Sequence, residues 1–240
     1  MRLRIKMKTR GCSIPIHYKH FIQSMVYTMM GLNDKFQKLH DEGNVLENRK
    51  FKLFVISDIF GKFHYNTTSK TLEFETDAFF EVGCIDEDIL IHIIEYLNLN
   101  MYIHIGKTIL EHNGYEILNE NIQNKDIVML QTISPVTVYE TENKHITYLD
   151  PNSDAFMNSI VNNIKKKYFL IYAEECPELS IVIRQVKRKK VIQFKSSFFI
   201  AYDLLLDVIK PTKQVLQVLT STGIGSKNSM GFGMLKQYEN

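Results

Sequence analysis

The chain of 240 residues contains no tryptophan, only three cysteines and five prolines, and no long apolar run. Each scarcity closes off a class of protein. Cys12, Cys84 and Cys176 are odd in number and far apart, so neither a disulfide framework nor a CxxC zinc site is available. HExxH is absent, and His17 and His20 stand three apart on an expected helix with no carboxylate beside them, so neither a metal nor another cofactor is expected. The longest apolar stretch, SFFIAYDLLLDVI, is interrupted by Asp203 and Asp207 and falls short of the ~20 residues that span a bilayer. MRLRIKMKTR alternates charge with hydrophobe, and no apolar signal core follows before Pro15. The expectation is a cytoplasmic protein with no membrane contact.

What is present is globular in composition, 45% hydrophobic and 23% charged. A net charge of +2 hides strong segregation. Glu73 to Glu95 carries eight acidic residues and no Lys or Arg, whereas Lys165 to Lys195 carries nine Lys or Arg against Glu174, Glu175 and Glu178. Residues 1–10 add five basic groups and no acid. Such separation is the expected footprint of a protein that holds a polyanion on one side. For a basic run alone, a solvated surface is the plainer explanation.

Periodicity predicts the same order twice. In the first half, Arg2, Arg4, Lys6, Lys8 and Arg10 alternate with Leu3, Ile5 and Met7, which is a strand with one apolar and one basic face. A helix is predicted from about Pro15 to Gly31, with Ser13 as cap and Tyr18, Phe21, Ile22, Met25, Val26 and Met29 on its apolar arc. Strands near 52–57 and 71–76, a helix over 86–97 and a strand over 107–118 complete the unit. In the second half, a strand within 126–134 precedes a helix from Asp154 to Tyr168, capped by Ser153. Strands over 179–187 and 191–202 are predicted to flank a turn at Arg188–Lys190. A helix opened by Pro211 and stopped by Gly223 then leads to a last strand near 232–237. His145–Leu149 has no place in this scheme. Two βαββαβ units imply an α+β chain of two tandem ferredoxin-like (RRM-like) domains, 1–120 and 121–240, joined near the polar NENIQNK. Fold alone assigns no function.

Glycines give the loudest signal. Gly223, Gly225, Gly231 and Gly233 form G-x-G-x5-G-x-G around Lys227 and Asn228. Such a loop lets backbone N–H groups approach phosphate closely. GxxxxGK[ST] is absent, and Asn228 stands where GxGxxG needs glycine, so a nucleotide cofactor site is not indicated.

GIGSKNSMGFGML resembles the C-terminal glycine-rich motif of the CRISPR-associated repeat-processing endoribonucleases, the sixth Cas family. IPIHYKHFIQSMVYTMM resembles that family's first helix, FQKLHDEG its Leu-His segment and KFKLFVIS the strand opened by a basic residue. The likeness covers nearly the whole chain, though between about residues 65 and 125 it rests on topology. It implies metal-independent cleavage of CRISPR repeat RNA, in which the 2′-hydroxyl attacks the adjacent phosphate to leave a 2′,3′-cyclic phosphate and a 5′-hydroxyl. It implies His40 and Tyr27 as the proton-transfer pair and Lys52 as the charge beside the phosphorane, with Lys50 as the rival to Lys52. The family's tyrosine is usually drawn as the base, but a phenol near pKa ~10 is a poor one, so the direction stays open here. Lys187, Arg188, Lys189 and Lys190, on the expected hairpin tip, are candidates for the RNA groove, and the four glycines with Lys227 and Asn228 for RNA contact. Edge protection is the plainer explanation of the hairpin lysines. Partners are then repeat RNA and, beyond it, other CRISPR effector subunits or a second copy of the chain. A catalytically silent repeat-binding subunit is the alternative. A generic tandem RNA-recognition protein is disfavoured by the lack of an RNP-like run and of tryptophan.

Overall fold

The computed structural model describes residues 1–31, 41, 43–47, 49–119 and 125–238. The first half contains strands β1 (Arg2–Met7) and β2 (Ser13–Pro15), helix α1 (Lys19–Met30), and strands β3 (Asn44–Leu46), β4 (Arg49–Phe51), β5 (Phe54–Ile56), β6 (Phe63–Asn66), β7 (Thr71–Phe74) and β8 (Ala78–Cys84). Helix α2 (Glu87–Leu99) and strands β9 (Tyr102–Ile105) and β10 (Thr108–Leu118) follow. The second half contains β11 (Ile127–Thr132), β12 (Tyr139–Glu142), β13 (His145–Tyr148), α3 (Asp154–Tyr172), β14 (Ser180–Phe194), β15 (Ser197–Ile209), α4 (Lys213–Thr222) and β16 (Leu235–Gln237).

The two main sheets share one plan. The first has the order β5-β8-β1-β10-β9 and the second β14-β15-β11-β16, all antiparallel. Apart from the added edge strand β9, each is the 4-1-3-2 sheet of a βαββαβ unit, and the chain is two ferredoxin-like folds in tandem. The alternation of β1 buries Leu3, Ile5 and Met7 beneath the α1 stripe of Ile22, Met25, Val26 and Met29. In the second half, Phe156, Ile160, Ile164 and Tyr168 of α3 close over Leu204, Leu206 and Val208 of β15. Caps fix the helix starts: Asp86 accepts from Asp88 N, Ser153 from Phe156 N and Thr212 from Val215 N. The expected division between residues 120 and 121 falls outside the described residues.

Polar contacts lock the halves together. The buried Arg2 guanidinium reaches Glu81 and donates to the carbonyls of Thr220 (3.2 Å) and Leu235. Ser134 Oγ donates to Ile56 O (3.1 Å), and Val55 packs with Ile133 and Met234.

Three sequence expectations change. Ser13 does not cap α1, because Ser13–Pro15 pairs as an edge strand with Thr71–Glu73, and the helix begins after Tyr18. Proline is tolerated at such an edge. The turn expected at Arg188–Lys190 is absent: β14 runs unbroken to Phe194, and the chain reverses at Lys195–Ser196. Register shifts at Ile183/Gln185 and Val186/Arg188 scramble the alternation there, which is why the pattern imitates a turn. The basic run therefore lies along a strand, away from the hairpin tip. Third, the unplaced His145–Tyr148 pairs with Tyr139–Glu142 as a separate hairpin.

Candidate active-site cleft

A cleft of about 880 Å³ opens where the two halves meet. The first half contributes Gln23 of α1 and the stretch from Arg49 to Phe54; the second contributes Tyr139–Glu142, Asn163, Lys167 and the loop from Gly225 to Met230. Arg49, Lys50, Lys52 and Lys227 outnumber Glu140 and Glu142 among the described lining residues, so the lining is cationic.

Tyr27 and Lys52 meet beside this cleft. The Tyr27 ring stands edge-on to the buried Phe54, with centroids 5.7 Å apart. Lys52 Nζ lies 2.7 Å from the Tyr27 hydroxyl and 4.9 Å from its ring centroid. Burial pushes the Tyr27 phenol up to about 12, against the opposing pull of a side-chain hydrogen bond with Ser229. Burial lowers Lys52, Asp41 raises it, and Lys50 and Lys227 lower it further. Lys50 donates instead to the Asp41 carbonyl (3.0 Å), so Lys52 is the lysine that reaches Tyr27. His40 lies outside the described residues.

Glycines shape the loop after α4. It folds back on itself: Ile224 N donates to Gly233 O (2.9 Å), Gly233 N to Pro135 O (2.9 Å) and Ser226 N to Thr137 O (2.8 Å). A Cβ at Gly233, where φ is +75°, would stand 2.0 Å from Ile224 O; one at Gly225, where φ is +69°, would stand 2.8 Å from Thr137 O. The amides of Gly223, Gly231 and Gly233 donate to Leu219, Asn228 and Pro135. These three N–H groups are thus engaged by the protein's own backbone, which corrects the expectation, for them, that they lie open to phosphate. What the loop offers the cleft is side chains: exposed Lys227, 5.8 Å from the Tyr139 ring centroid, and Ser229 against Tyr27.

Elsewhere several basic residues are engaged. Lys190 pairs with Asp203 (3.0 Å) and Asp58 (3.6 Å), and Lys187 lies near Gln131 (3.4 Å) and the Tyr238 ring. Arg188 and Lys189 are exposed. On β1, Arg4 binds Glu81 and Glu116 and Lys6 binds Glu116; just past its end, Lys8 binds Glu111. Among the described residues, no three His, Cys, Asp or Glu side chains gather as a metal site, and no helix is long and apolar enough to cross a membrane.

Residues 118–237 match the family model described as "CRISPR associated protein Cas6, C-terminal". The chain belongs to the Cas6 family. It is 25% identical to the CRISPR-associated endoribonuclease Cas6 1 of Methanocaldococcus jannaschii, over all of this chain and 93% of that protein. Identity to the CRISPR-associated endoribonuclease Cas6 of Pyrococcus furiosus is 21%, over 98% of this chain and 88% of the relative. The solved structure of a Cas6-related protein from Pyrococcus furiosus superposes with a TM-score of 0.84 at 18% identity, covering 100% of this chain and 99% of that one.

Sequence patterns overlooked Lys167 and Ser229. Lys167 follows Ile164 by three on the buried arc of α3, and a lysine on an apolar stripe was the available signal. Ser229 carried no signal, since its approach to Tyr27 exists only once the halves pack.

Proposed function

We propose that this Cas6-family chain is an endoribonuclease that cuts CRISPR repeat RNA without a metal ion. The observation that carries the proposal is the Tyr27–Lys52 pair beside a cationic cleft built from both halves. The endoribonuclease names of the two curated relatives support it. The nucleophile is the 2′-hydroxyl of the RNA itself, so no activated water is required. That oxygen bonds to phosphorus, the phosphorus–5′-oxygen bond breaks, one proton leaves the nucleophile and one reaches the leaving oxygen.

A phenol at about 12 is protonated at pH 7, with roughly one in 10⁵ ionised. We therefore assign Tyr27 the donor role towards the leaving oxygen, where the adjacent Lys52 ammonium stabilises the phenolate that results. Lys52 also offsets the charge gathering on the phosphorane. His40 is assigned the 2′-hydroxyl proton, because an imidazole, ordinarily near ~6.5, can accept one at neutral pH. The exposed Arg188 and Lys189 and the loop's Lys227 hold RNA phosphates, and Gly223, Gly225, Gly231 and Gly233 with Asn228 hold the loop in shape for that contact.

Repeat RNA with a 2′-deoxy residue at the cut site tests the proposal. It is expected to bind and to stay intact, since its nucleophile is gone. Its cleavage would make water the nucleophile and remove the assignment.

A further inference from the structure

Lys167 of α3 is a buried lysine that the cleavage chemistry above leaves without a task. Its residue is 3% exposed, and its ammonium has three donors. All three find oxygen: Thr222 O at 3.1 Å, Gly223 O at 2.8 Å and Asn228 Oδ1 at 2.7 Å. Thr222 and Gly223 end α4, where carbonyls lack helical partners and the helix dipole is negative. Asn228 begins the 3₁₀ turn Asn228–Met230, and its amide nitrogen donates to Ile224 O (2.9 Å) and Phe232 O (3.0 Å). One ammonium thus ties the end of α4 to the turn, and one asparagine ties that turn across the glycine-rich loop. The next residue, Ser229, sits in this turn where it packs against α1, and its side chain hydrogen-bonds Tyr27 alongside Lys52.

We propose that Lys167 is a positioning residue of the cleavage reaction: its ammonium fixes the Asn228–Met230 turn so that Ser229 holds the Tyr27 hydroxyl in place. Packing alone would be better served by methionine, because burying an ammonium is unfavourable unless its hydrogen bonds are needed. Burial lowers Lys167 to about 7, as expected of a cation placed there against its desolvation cost. The line of action is short, running from Lys167 to Asn228 and from Ser229 to Tyr27, beside Lys52. The inference rests on Tyr27 acting in cleavage.

The test is a double-mutant cycle read in single-turnover cleavage of repeat RNA with protein saturating, alongside RNA dissociation constants. Lys167→Met is expected to slow cleavage about 30-fold, the scale on which displaced catalytic groups lose rate, with affinity kept within about threefold. Ser229→Ala is expected to cost about fivefold, one hydrogen bond's worth. The double variant is expected to match Lys167→Met within about twofold, because both changes cut the same line. Multiplying single effects, wild-type cleavage by Lys167→Met, or equal losses in rate and affinity would each overturn the role. If Lys167→Met does not fold, Asn228→Ala takes its place in the cycle, with the same outcomes deciding. An inactive wild-type protein would instead defeat the reading of the cleft as a cleavage site.

Discussion

Two groups of basic side chains differ more in surroundings than in composition. On β1 and just beyond its end, Arg2, Arg4, Lys6 and Lys8 each meet a carboxylate from β8 or β10: Glu81, Glu116 or Glu111. Around the cleft, Arg49, Lys50, Lys52 and Lys227 share the lining with Glu140 and Glu142 among the described residues, and Asp41 acts on Lys52 from nearby. Of the acidic segment Glu73–Glu95, Glu81 serves the first group, and β10 supplies Glu111 and Glu116. Charge density along the chain therefore says little about which cations face a polyanion. Sheet register decides, by choosing which acids sit across from them.

Substitutions that remove cleft chemistry should have the largest effects. Replacing His40 with Ala is expected to cut the cleavage rate by 10²–10⁴-fold, with repeat binding largely kept. Tyr27→Phe and Lys52→Ala are each expected to cost about 10²-fold, and Lys50→Ala far less, because Lys52 is the lysine on Tyr27. The direction of proton transfer has its own signature. With His40 as base and Tyr27 protonated, the rate should rise as pH climbs through ~6.5 and fall only above about 7, where the Lys167 ammonium begins to lose its proton. A rate that falls through the same range would exchange the two roles.

The loop glycines come next in size. Gly233→Ala places a methyl group against Ile224 O at a positive φ, and thermal unfolding should register a loss of about 3 kcal/mol. Replacement of Gly231, whose added Cβ would meet the Lys19 side chain at 3.3 Å, should be milder in the same measurement.

The smallest effects sharpen the comparison itself. Neutralising Arg188 and Lys189 should flatten the log–log salt dependence of RNA affinity by roughly 0.7 to 0.9 per lost contact. Neutralising Lys6 and Lys8 should leave that slope within error, since Glu116 and Glu111 already hold them. Equal slopes for both pairs would break the distinction between the two basic regions.

Much of this was legible before any coordinates. Leu3, Ile5 and Met7 alternate plainly enough to give β1, the Ser153 cap sits where expected, and four glycines in eleven residues announce a loop with little room. Legibility failed where a contact depends on distant chain segments. The two register shifts in β14 turned one long strand into an apparent turn. The glycines looked built for phosphate because nothing local reveals Thr137, Pro135 and Ile224 closing around them. Of the catalytic candidates, Tyr27 and Lys52 come together 25 residues apart in sequence, whereas His40 lies outside the described residues.

The central claim is that RNA's own 2′-hydroxyl is the nucleophile, served by Tyr27, His40 and Lys52. The most direct measurement is end-group analysis of repeat RNA incubated with the protein in excess EDTA. The account predicts cleavage, with a 2′,3′-cyclic phosphate on one fragment and a 5′-hydroxyl on the other. Cleavage only after Mg²⁺ or Mn²⁺ is restored, leaving a 3′-hydroxyl and a 5′-phosphate, would contradict it.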